Sequence, residues 1–199
     1  MCKIAIIDSG GANIASLLFA IERLGQSAAL TTDAAVIRSA DRVLLPGVGA
    51  AKDAMDRLVD ANLTDVIREL EQPVLGICLG MQLLLDGSEE DNVECLGIVP
   101  GVAAALPSTP DCPVPNMGWC ATLKTSGHSL LDNISDGSHF YYLHSYALPV
   151  SDYTLATAEH AKPFAAVIGR DNFVGTQFHP ERSSAAGAQL LHNFLDGSS

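Results

Sequence analysis

Basic residues are scarce in this chain: 11 lysines and arginines stand against 23 aspartates and glutamates, for a formal net charge of −12. A nucleic-acid binder needs a basic footprint against phosphates, and no Lys/Arg cluster exists here, so that class is excluded. The acidity suits solubility and a complementary basic partner. No apolar run is long enough to span a bilayer. The run that opens the chain is short and ends in Asp8, so neither signal peptide nor membrane segment is expected and the chain reads as cytoplasmic. Its five cysteines (Cys2, Cys78, Cys95, Cys112, Cys120) are odd in number and irregularly spaced, which argues against a disulfide framework. Cys112, Cys120 and His128 lack the Cys-x-x-Cys or His-x-x-x-His spacing of zinc ligands, so no metal is expected. Gly10-Gly11 lacks the Gly-x-Gly-x-x-Gly spacing, and Leu45-Pro46-Gly47-Val48-Gly49-Ala50 lacks that of a phosphate loop despite Lys52. Neither loop therefore holds a nucleotide, and no cofactor is expected. Repeats, low-complexity tracts and linkers are missing as well.

What is present is a compact composition. The 199 residues are 48% hydrophobic and 17% charged, fit one domain over 1–199, and can bury roughly 70% of the unfolded surface. Residues 3–8 read as a strand covered on both faces. Asn13 is placed to cap a helix whose stripe is Ile14, Leu17, Leu18, Ile21 and Leu24, and Gly25 ends it. Further strands are expected at 28–32, 42–45 and 74–77, with helices at 51–59 and 64–71. After Asp86 the rhythm changes: prolines break up the middle, and strands are expected near 96–105, 139–146, 153–158, 164–169 and 172–177. A helix over 184–195 closes the chain. Alternating β and α units followed by strands predict an α/β domain with a mixed, mostly parallel central sheet flanked by helices.

Two motifs carry chemistry. Gly76-Ile77-Cys78-Leu79-Gly80, between a short buried strand and a helix, has the logic of a nucleophile elbow. Such a turn strains the central residue, the glycines clear space for main chain, and the sulfur meets unpaired helix N–H groups. Taken alone, a buried cysteine in a tight turn explains it equally well. Gln177-Phe178-His179-Pro180-Glu181 supplies the missing parts, a base and an acceptor that orients it, within one turn fixed by proline. A surface histidine beside a solvated glutamate is the plainer account of that segment. The two motifs together point to an intracellular thiol hydrolase or acyl-transfer enzyme. Active sites of open α/β sheets lie at carboxyl ends of strands, where the Leu45–Ala50 loop also sits and where it can turn an N–H toward an oxyanion.

Gly-Ile-Cys-Leu-Gly-Met-Gln and Phe-His-Pro-Glu resemble the triad motifs of class I glutamine amidotransferases, which implies that Cys78, His179 and Glu181 are catalytic. Further segments resemble, within that family, the glutaminase subunits of histidine biosynthesis. They are Ile6-Ile7-Asp8 with its Gly-Gly-Ala-Asn loop, the Leu-Pro-Gly-Val-Gly loop, Pro115 to Trp119, Phe140 to Tyr146, and His179 to Ser183. The resemblance implies hydrolysis of glutamine to glutamate and ammonia. The ammonia would pass to a (β/α)₈ cyclase subunit in a heterodimer. It also implies that Val48 and Leu79 supply oxyanion N–H groups, that Gly47, Gly49, Gln82, Ser145 and Tyr146 hold the substrate, and that Asn13, Trp119 and Arg182 lie toward the partner. Where the family has Pro-His-Met-Gly-Trp-Asn, this chain has Asn116 for His and Cys120 for Asn, two departures expected near the partner rather than the triad. The rival readings are a paralogous subunit of another pathway, such as sugar amidation, and a catalytically silent interaction subunit.

Overall fold

The computed structural model describes residues 2–10 and 14–197. Asn13, both as helix cap and as partner contact, lies outside the described residues. The first half alternates strands and helices: β1 (Ile4–Ile7), α1 (Ile14–Arg23), β2 (Ala28–Thr31), α2 (Ala34–Arg38), β3 (Arg42–Gly47), α3 (Ala51–Asp60), α4 (Thr64–Arg68), β4 (Val74–Cys78) and α5 (Leu79–Leu83). Short strands follow, β5 (Leu85–Ser88), β6 (Val93–Glu94) and β7 (Val99–Ala105), then β8 (Asn116–Lys124), β9 (Ser138–His144) and β10 (Tyr146–Ala147). The chain ends with β11 (Thr154–His160), β12 (Lys162–Arg170), β13 (Phe173–Thr176) and α6 (Ser184–Asp196). Among the described residues no helix is long and apolar enough to cross a membrane.

Nine strands form one sheet in the order β2-β1-β3-β4-β13-β12-β11-β8-β9. From β2 to β13 the neighbours run parallel, and from β13 to β9 they run antiparallel. β13 is thus the seam of a mixed sheet. A smaller sheet, β10-β7-β5-β6, packs beside it. Alternation along β1 explains the layering: Ala5 and Ile7 face a core shared with α2, α3 and α4, while Ile4 and Ile6 face one shared with α1 and α6. Both faces are covered, so β1 and β4 are buried at every position.

The expected elements of the first half are found, with α4 ending at Arg68 rather than 71. Four elements are additional, the two-residue β6 among them. α2 is capped by Asp33, whose carboxylate accepts the Ala35 N–H. The apolar run after Cys78 divides, because α5 stops at Leu83 and Leu85 starts β5 against β7. β8 occupies residues with no strand-like apolar alternation: Asn116 and Thr122 are buried, whereas Met117, Trp119 and Leu123 are more than half exposed.

Candidate active site

Cys78 closes β4, and its backbone (φ 56°, ψ −110°) is the strained turn expected of an elbow. The flanking glycines are sterically required. A Cβ on Gly80 would stand 1.7 Å from the Leu45 carbonyl oxygen, and one on Gly76 would stand 2.7 Å from that of Gly80. Only at this contact distance can β3, β4 and α5 meet. The register then sets Gly47 directly beside Cys78, so the Leu-Pro-Gly-Val-Gly loop leaves β3 next to the sulfur. Gly49, at φ +91°, takes a backbone conformation that a side chain disfavours.

The base arrives from the neighbouring parallel strand. β13 pairs with β4 so that Thr176 lies opposite Ile77, and the chain continues into Gln177, Phe178 and His179 just where β4 delivers Cys78. Phe178 is fully buried and stacks on Phe140 with ring centroids 4.0 Å apart. Burial of such a ring contributes about 1.5–3 kcal/mol and pins the segment. The His179 N–H donates to the Tyr141 carbonyl, and the Ser183 hydroxyl donates to the His179 carbonyl at 2.7 Å. His179 therefore sits on a rigid corner between β13 and β9.

The His179 Nδ1 to Glu181 Oε1 distance is 2.9 Å, with both side chains almost wholly buried. Burial pushes the imidazole down, but hydrogen bonding and charge from Cys78 and Glu181 together outweigh it, and its pKa rises to about 10. The other oxygen of Glu181 is buried with no hydrogen-bond partner among the described residues. Cys78 Sγ donates to the Leu143 carbonyl at 3.7 Å. In this resting geometry the thiol proton is thus directed at main chain, although Cys78 is close enough to raise the His179 pKa.

Cys78 and His179 share a cavity of about 230 Å³ with Val48, Gly49, Leu79, Gln82, Ser145 and Tyr146. Gly47 lies behind it, lining a void of about 10 Å³ with Val48, Glu181 and Leu17. The side chain of Gln82 is committed: its Nε2 donates to the Tyr146 carbonyl at 2.9 Å and to Gln177 Oε1 at 3.0 Å. Trp119 and Arg182 are outside the cavity. Trp119 is 51% exposed and meets Tyr141 edge-on, while the Arg182 guanidinium lies 4.9 Å from the centre of the same ring.

Two residues of this region, Glu90 and Gln177, carried no role in the sequence reading. Glu90 lines the cavity and accepts the Ala51 N–H at 2.9 Å. Nothing in its acidic surroundings marks it from sequence. Gln177 is fully buried beside the nucleophile, and its place directly before Phe-His-Pro-Glu was the available signal. His144 lines the cavity too. Asn116, expected near the partner rather than the triad, is on the inner side of β8. It is 3% exposed and its Nδ2 lies 3.0 Å from His144 Nε2, because inward positions of β8 point at the cavity wall.

Residues 5–197 match the family model described as glutamine amidotransferase class-I. The chain is 48% identical over 200 residues to the imidazole glycerol phosphate synthase subunit HisH of Vibrio cholerae, covering 98% of each. It is 49% identical over 192 residues to the subunit HisH 2 of that synthase from Legionella pneumophila, covering 96% of each. Among solved structures, a glutamine amidotransferase aligns with a TM-score of 0.72 at 14% identity, covering 97% of this chain and 97% of that one. PurLQS from Thermotoga maritima aligns at 0.70 and 17%, covering 98% and 99%. At such identities these two speak for the fold alone.

Proposed function

We propose that this chain, which belongs to the glutamine amidotransferase class-I family, is the glutaminase subunit of an imidazole glycerol phosphate synthase in histidine biosynthesis. The carrying observation is the strained Cys78 elbow opening into one cavity with His179, itself held by Glu181. Near-full-length identity of 48% to a named subunit of that synthase supports the pathway.

The chemistry follows from the geometry. Glu181 occupies Nδ1 of His179, which leaves Nε2 as the nitrogen for proton transfer with the sulfur. The Cys78 sulfur attacks the side-chain amide carbon of glutamine, and His179 delivers a proton to the nitrogen that leaves as ammonia. A γ-glutamyl thioester remains. His179 then takes a proton from water, whose oxygen displaces the sulfur and releases glutamate. Leu79, the first residue of α5, has an N–H with no intrahelical partner, and Val48 is on the neighbouring loop. Both are assigned as oxyanion donors, each worth roughly 10²–10³-fold in rate. Gln82, Ser145 and Tyr146, with Gly47 and Gly49, form the substrate wall, and the Glu90 carboxylate suits the substrate's α-ammonium.

Ammonia is of use only if a second active site receives it. Met117, Trp119 and Leu143 on the outer face of the β8–β9 hairpin are 68%, 51% and 37% exposed, an apolar patch suited to a partner. We assign that face, with Arg182, to a (β/α)₈ cyclase subunit in a cytoplasmic heterodimer. Gly49, at φ +91° and with space for a Cβ among the described residues, permits a peptide rotation at Val48, so partner docking is expected to raise kcat more than it changes KM. Glutamate release measured with and without the co-expressed cyclase and its ribotide ligand tests the reading. Cys78→Ala should abolish it while the complex still cyclises its ribotide with free ammonia. Glutamate release by Cys78→Ala, or loss of ammonia-dependent turnover as well, would overturn the assignment.

A further inference from the structure

A continuous run of polar contacts connects the inner face of β8 to the nucleophile. Cys120 Sγ donates to Asn116 Oδ1 at 3.5 Å. Asn116 Nδ2 donates to His144 Nε2 at 3.0 Å. His144 Nδ1, 2.9 Å from the Tyr146 carbonyl, must then carry the ring proton. The same carbonyl accepts from Gln82 Nε2, whose second hydrogen goes to Gln177 Oε1. That leaves the Gln177 amide nitrogen for the Cys78 sulfur, 3.9 Å away. Every direction is forced by the next. Turning any one amide, or moving the imidazole proton to Nε2, sets donor against donor or acceptor against acceptor in a buried site.

We propose that Asn116 is a positioning residue for the thiol: by holding His144 in its Nδ1–H form it fixes the Tyr146 carbonyl, Gln82 and Gln177, and so presents an N–H to the Cys78 sulfur. The inference rests on Cys78 being the nucleophile. His144 is suited to such a task. Burial pushes its pKa down to about 4, and the hydrogen bond to Tyr146 only partly offsets this. The titratable groups facing it are His160 and His179, which both disfavour its protonation, and Glu90 is the carboxylate lining the same cavity. A neutral imidazole has one donor and one acceptor, and the Tyr146 carbonyl at Nδ1 and the Asn116 amide at Nε2 select the same tautomer. Position 116 is one of the two departures from the family motif, and position 120, the other, is its hydrogen-bond partner.

The test uses the full chain and needs no glutamine. Asn116→Asp keeps the shape but offers an acceptor to Nε2, and Asn116→Leu offers nothing. Alkylation of Cys78 by iodoacetamide is followed by peptide mass, and the ring nitrogens of His144 by NMR. In Asn116→Asp, His144 should gain a proton on Nε2 and titrate well above its wild-type position. Both variants should alkylate roughly tenfold more slowly, with the loss of a hydrogen bond to the sulfur as the cause. Gln82→Met cuts the run further along without adding a charge, so it should slow alkylation while leaving the His144 titration unchanged, and it serves if the Asn116 variants fail to fold. Wild-type alkylation rates in the folded variants, or an unaltered His144 titration in Asn116→Asp, would overturn the proposal. Should the wild type release no glutamate while these differences hold, the glutaminase reading falls and the positioning role stands.

Discussion

Replacing Glu181 by Gln removes one charge and no volume, so it isolates what the carboxylate does for His179. The two side chains are 8% and 5% exposed and their interacting atoms are 2.9 Å apart. With an effective dielectric of about 20, charges at such a distance attract by about 4–6 kcal/mol. That attraction exists only while the imidazole is protonated, the state that its raised pKa favours. An amide also has the option of donating to Nδ1, which would leave the proton on Nε2, the nitrogen needed as base. Allowing for compensation by rotation of the amide, a loss of about 3–5 kcal/mol is expected, or roughly 10²–10⁴-fold in kcat, with KM little changed. Glutamate release by the cyclase complex measures the rate, and NMR titration of His179 measures the cause, which should appear as a pKa well below that of the wild type. A variant within threefold of wild-type kcat, or one whose His179 titrates as before, would refute the orienting role.

Gly80→Ala drives a methyl group into the Leu45 carbonyl. β3 must then part from α5, with an expected cost of about 1–3 kcal/mol or more in chemical denaturation and a loss of activity beyond what stability explains. Folding stability should pass through a maximum near pH 6.5. His179, raised to about 10 from 6.5, contributes fully below 6.5 and loses its contribution as pH rises through 10. His144, lowered to about 4, contributes above 6.5 and loses it as pH falls through 4. His179→Asn should flatten the alkaline limb and His144→Phe the acid limb of midpoints measured across pH. Trp119→Ala removes the largest exposed ring of the hairpin and should weaken cyclase binding by roughly 30-fold or more in calorimetry, leaving the alkylation rate of Cys78 untouched.

The elbow was legible because its glycines answer a steric demand that shows in spacing alone, and α1 because its stripe and its terminal Gly25 follow helical rules. The pairing of Cys78 with His179 was legible as chemistry, yet the reason they meet is topological. β13 returns beside β4 only after the antiparallel half has been laid down, and no local pattern encodes that adjacency. β8 escaped notice for a physical reason: its pattern is inverted. Asn116, Cys120 and Thr122 turn inward while Met117, Trp119 and Leu123 turn out, so the alternation that ordinarily marks a strand gave no apolar inner face. Gln177 was visible as a letter in the motif. Its task depends on which way each amide points, and only the surrounding hydrogen bonds decide that.

The inversion of β8 also bears on the nucleophile. Leu143 stands opposite Met117 in the register, partly exposed on the outer face, while its carbonyl accepts the Cys78 thiol on the inner side at 3.7 Å. Attack on glutamine requires the sulfur free of its proton, so the contact with Leu143 must be given up before the chemistry starts. One residue of the hairpin thus faces both the apolar surface and the nucleophile.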